Sequence, residues 1–77
     1  MKNSTDIVVH INENLDEENR QSLTQQTNDL DGVLSASLTD SRPHLMIVGF
    51  DPDKTKSMNV LSGVQNTGVH AQLIGWL

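Results

Sequence analysis

Three histidines, His10, His44 and His70, and a run of carboxylates at Asp16, Glu17 and Glu18 are the side chains here that could do more than build a fold. Imidazole nitrogens ligate zinc and copper(II), whereas grouped carboxylates suit hard divalent cations. The chain has no cysteine, so it offers no disulfide, no thiolate nucleophile and no cysteine-type zinc site. For the acidic run the structural explanation is the stronger one. Consecutive residues entering a helix point in different directions and rarely close on one ion. Asp16 as a cap, with Glu17 and Glu18 in the first turn, suits the positive end of the helix dipole.

The elements that would position these groups follow from periodicity. "DIVVHI", Asp6 to Ile11, alternates as a strand with Ile7, Val9 and Ile11 on one face and Val8 and His10 on the other. A helix capped by Asp16 presents Leu23, Thr27 and Leu30 on one side, with Gly32 as the expected C-cap. "VLSASL" (33–38) reads as a second strand, "TDSRP" as a turn, and "HLMIVGF" (44–50) as the third and most apolar strand. After the polar "DPDKTKS", Ser57 is the expected cap of a second helix with Leu61 and Val64 inward, Gly68 closes it, and "VHAQLIGW" forms the last strand. The order β-α-β-β-α-β is the ferredoxin-like split unit: an α+β sandwich with a four-stranded antiparallel sheet and two helices on one face. The 77 residues make a single domain, with a polar tail over residues 1–5.

With that order in hand, three segments carry a resemblance. "LDGVLSASL" is similar to the "GV.SA.V" entry to the second strand of the heavy-metal-associated domain family, "VGFDPDKTKS" to its "V.YDP...S", and "TGVHAQLI" to its closing "GY.A.L". The resemblance spans about Asp6 to Ile74 and implies the fold of copper chaperones and of the amino-terminal modules of metal-pumping ATPases. It departs at the functional point. Counted back from Gly32, the family's methionine-X-cysteine-X-X-cysteine loop lands on Asn14 to Asn19, with Asp16 and Asn19 where cysteines would stand. Copper(I) prefers thiolate and thioether ligands, so that chemistry does not transfer to this loop.

The split topology sets the first strand antiparallel to the third and fourth, so His10 near its end should lie toward the starts of the strands opened by His44 and His70. If Val9 and Ile11 face the helices, His10 faces away, and His70 does so as well if Ala71 and Leu73 flank the core. His44 shares the parity of Met46, Val48 and Phe50, on the core side. Facing residues in an antiparallel pair have Cβ atoms about 5 Å apart, close enough for two imidazoles to share a metal. The expected site is therefore His10 with His70, completed by His44 or by a group from a partner, with zinc or copper as the candidate ion. Such ligands bind as neutral imidazoles, so affinity would fall toward acid pH.

The same alternation turns Val8, Leu45, Ile47, Ile74 and Trp76 to the uncovered face of the sheet, an apolar surface suited to a homodimer or a protein partner. This gives a second, metal-free reading of the chain as an interaction module. The net charge of −5, from ten acidic against five basic residues, argues against a nucleic-acid surface. No stretch approaches a membrane span or the apolar core of a signal peptide, so a cytoplasmic location is expected. No serine triad signature and no glycine-rich phosphate loop is present, and an enzyme is not expected.

Overall fold

The computed structural model describes residues 4–76. Its elements run β1 (Thr5–Ile11), α1 (Glu17–Asn28), β2 (Val33–Thr39), β3 (Arg42–Phe50), α2 (Ser57–Gln65) and β4 (Ala71–Trp76). The strands form one sheet in the order β2-β3-β1-β4, each neighbouring pair antiparallel. This is the expected ferredoxin-like arrangement. Thr5, placed in the tail by the sequence pattern, belongs to β1, and tail residues 1–3 lie outside the described residues.

The core forms where the alternating strand face meets the helical stripes. Ile7, Val9 and Ile11 of β1, Met46, Val48 and Phe50 of β3, and Leu23, Val60, Leu61 and Val64 of the helices are buried together. Burying side chains of this size contributes about 1.5–3 kcal/mol each. Among the described residues Thr27 is the one polar residue in the buried layer; its hydroxyl donates to the Leu23 carbonyl at 2.8 Å, which removes the penalty of an unpaired group.

Helix ends differ from expectation in detail. α1 stops at Asn28 with Asp29 as its C-cap, and Gly32 instead takes φ +84° in the turn that enters β2, backed by Thr55. α2 starts with Ser57 as its first helical residue. Lys56 occupies the N-cap and supplies no side-chain hydrogen bond. α2 ends at Gln65, and Gly68, with φ +110°, lies in the following loop.

Register shifts matter more for the site. β4 carries a bulge: Val8 pairs with Gly75 and Val9 with Leu73, leaving Ile74 as the extra residue. β2 and β3 slip as well, pairing Leu38 with Met46 but Thr39 with Arg42 across the tight Asp40–Ser41 turn. Each such insertion bends the sheet and resets which face the following residues occupy.

Candidate functional site

The loop between β1 and α1 is built around its helix cap. The Asp16 carboxylate accepts a hydrogen bond from the Asn19 backbone N–H at 2.8 Å, and Glu17 and Glu18 follow in the first turn, exposed. The two positions that the resemblance assigns to cysteines are thus joined to each other. A three-residue spacing at a helix entrance suits two ligands of one ion, and it equally joins an N-cap to its N3 amide. With Asp16 committed to the cap, the residues present do not fit a soft-metal site. Arg20 ties the loop down, its guanidinium donating to the Leu15 carbonyl at 2.7 Å and pairing with Asp40 in the β2–β3 turn.

The histidines divide into two groups. His10 lies opposite Leu45 on β3 and Gln72 on β4. Its ring stacks on that of His44, with centroids 5.9 Å apart and planes 18° from parallel. Strict alternation had placed His44 on the core side. The slip between Leu38 and Thr39 lies beside this part of β3, and His44 is only partly buried, its ring swung to the end of β1. There the His44 Nδ1 is 2.7 Å from the Ile11 carbonyl oxygen. A carbonyl only accepts, so Nδ1 carries a proton, and in the neutral form of the ring the lone pair is at Nε2.

His70 does not join this pair. Gln72, two residues on, stands opposite His10, while the His70 carbonyl accepts from the Asn12 N–H at 2.9 Å. β4 begins only at Ala71, which leaves the His70 N–H outside the ladder; it donates to both Glu13 carboxylate oxygens at 2.9 and 3.1 Å. The His70 ring donates through Nδ1 to Glu13 Oε2 at 2.6 Å. These hydrogen bonds, that of the ring first and the backbone second, hold the Glu13 carboxyl below its ordinary pKa. Sequence pattern did not single out Glu13. Its place one residue beyond Asn12, whose N–H meets His70, is the signal that register supplies.

Among the described residues no group of three or more histidine, cysteine, aspartate or glutamate side chains has metal-holding geometry. The His10–His44 pair therefore offers two candidate ligand side chains among the described residues. Metal–nitrogen distances of about 2.0–2.1 Å, extended by the size of the imidazole ring, put two rings sharing one ion roughly 5–6.5 Å apart between centroids. The observed 5.9 Å falls within that range, and with the planes only 18° from parallel the in-plane lone pairs meet on one ion once the rings turn toward each other. The hydrogen bond from His44 Nδ1 to a backbone carbonyl is the outer-shell contact that commonly orients a metal-ligating imidazole.

The uncovered sheet face holds Val8, Leu45 and Ile47, which line a shallow depression of about 120 Å³ with Ser37, Thr39 and Arg42. Ile74, the bulge residue, is 54% exposed and alternates from Leu73 onto this side. Trp76 departs from expectation. The bulge shifts parity by one, so Trp76 stands opposite the core residue Ile7, with its ring 6.5 Å from that of Phe50 on the helix-covered side. None of the described helices is long and apolar enough to cross a membrane.

No protein-family profile and no curated protein matches the sequence. Solved structures do match the fold. A copper-binding domain from HMA7, a P-type ATPase, superposes with a TM-score of 0.85 at 19% identity, covering 94% of this chain and 96% of that one. The N-terminal domain of a potential copper-translocating P-type ATPase from Bacillus subtilis, in its Cu(I)-loaded state, gives 0.83 at 15% identity over 97% and 92% of the two chains. Oxidized MerP from Ralstonia metallidurans CH34 gives 0.80 at 13% identity over 92% and 97%. The chain has the fold of these heavy-metal-associated domains and carries no cysteine.

Proposed function

We propose that this chain is a small non-catalytic domain that binds a transition-metal ion reversibly through His10 and His44. The observation that carries the proposal is the stacked pair at 5.9 Å in which the Ile11 carbonyl holds the His44 Nδ1 proton, leaving Nε2 free. Zinc and copper(II) both accept imidazole, and copper(I) is disfavoured without thiolates. The ion would act as cargo or signal, since the apolar core is built from side chains other than His10 and His44. The fold shared with a copper-binding domain and with the mercury-bound form of MerP supports the metal-handling class, with the ligands moved from the β1–α1 loop to the sheet end.

Calorimetric titration of untagged protein with zinc and with copper(II) tests this. Removing a ligand in His10→Ala or His44→Ala should weaken binding at least about tenfold, while His70→Ala should not. Equal affinity of wild type and a His10→Ala/His44→Ala double variant refutes the site. The apolar strip of Val8, Leu45, Ile47 and Ile74 favours a second reading, a metal-free docking module. Self-association in the presence of a chelator would support that reading.

A further inference from the structure

We infer that a second copy of this chain completes the coordination shell at His10 and His44, so that the ion joins two domains across their open sheet faces. The inference rests on the histidine site proposed above and names its missing ligands. Zinc sites are almost always four-coordinate. Here two imidazoles are in place, and no third histidine, cysteine, aspartate or glutamate side chain joins them among the described residues. A twofold axis beside the pair supplies the same two rings again, because a symmetric interface repeats each contact in both directions.

The position of the pair makes this geometry accessible. His10 projects from the face that carries Val8, directly across from Leu45, so the half-site borders the apolar strip instead of lying among the helices. Size then decides what the strip can do unaided. Four strands spaced about 4.8 Å apart, each about seven residues long at about 3.3 Å per residue, present roughly 440 Å² of flat face. Two copies cover roughly 900 Å² in projection, and with the relief of the side chains this places the face near the lower end, approximately 1,200 Å² of accessible surface, of standard interfaces. Each chain also carries a net charge of −5, which opposes association. The face alone is therefore a marginal dimer interface. A divalent cation bound by two rings from each side adds bonds and offsets charge at one stroke.

Sedimentation velocity of the untagged protein with zinc chloride tests the inference. The expected result is a monomer in chelator, a doubled mass near half an equivalent of zinc, and return toward the monomer in excess zinc as each half-site takes its own ion. His10→Ala and His44→Ala should abolish the dimer. Ile47→Lys, on the open face and outside the ligand pair, should weaken the dimer while leaving zinc binding measurable by calorimetry. Zinc binding at one ion per chain with the mass unchanged overturns the bridged dimer and leaves the histidine site standing. A dimer that persists in chelator overturns the role of the ion. No zinc binding beyond that of the His10→Ala/His44→Ala variant overturns both.

Discussion

If Asp16 is a helix cap and not a ligand, its removal should cost stability and spare metal binding. The bond at stake is the 2.8 Å contact from the Asn19 N–H to the Asp16 carboxylate, exposed to solvent and alone in its role at the start of α1. Loss of such a cap costs about 1 kcal/mol, and loss of the negative charge at the helix N-terminus adds about 0.3–1 kcal/mol. Asp16→Ala should therefore destabilise by about 1.5 kcal/mol, and Asp16→Asn, which keeps the cap and drops the charge, by about 0.5 kcal/mol. A domain of this length has an unfolding entropy near 0.16 kcal/mol/K, so the two substitutions should lower Tm by roughly 9 °C and 3 °C. Thermal unfolding followed by circular dichroism reads both shifts, and zinc titration of the same proteins should give wild-type affinity. An Asp16→Ala protein with unchanged Tm, or one whose zinc affinity falls tenfold, would refute this assignment of the acidic loop.

Three further outcomes are expected. Glu13→Gln should destabilise the protein at neutral pH by loosening the β1–α1 loop from His70. Because the folded carboxyl is held below its ordinary pKa, its contribution is present above about pH 4.5 and is lost as pH falls through the depressed folded value. Urea unfolding at pH 7 and pH 3 should thus separate the variant from wild type more at the higher pH. Gly32→Ala and Gly68→Ala both force a side chain to positive φ, a strain of about 1–2 kcal/mol. At Gly32 the new Cβ would also meet Thr55 at 2.7 Å, whereas at Gly68 it meets nothing, so Gly32→Ala should be the more damaging in denaturant titration. Met46→Ala, a truncation in the fully buried layer against Thr27, should cost about 2–5 kcal/mol by the same assay.

Much of this was legible in the sequence because local signals and the global fold agree. The β-branched alternation of residues 6–11, the cap at Asp16 and the strand pairing implied by β-α-β-β-α-β all reappear in the structure. What the sequence concealed is the sheet's departures from regular pairing. Alternation places Trp76 beside Ile74, but the bulge between Leu73 and Gly75 turns it to Phe50 instead. His44, whose Nδ1 meets the Ile11 carbonyl at the end of β1, has its ring beside that of His10, a contact that strand parity alone does not reveal. Nothing in composition marks where a strand will bulge, since that depends on how the sheet curves around its helices. His70 missed its expected partner for a simpler reason: two residues of register separate it from the position opposite His10, and Glu13 is within reach.

The central claim is that His10 and His44, and not His70 or the acidic loop, meet the metal. Long-range nitrogen–proton NMR of the imidazole rings resolves the three histidines individually and reports ligation at each ring nitrogen. On addition of zinc, the Nε2 of His44 and a ring nitrogen of His10 should shift together and saturate together, while His70, held by Glu13, keeps its resonance positions. A zinc-dependent shift confined to His70, or none at His10 and His44, would contradict the account.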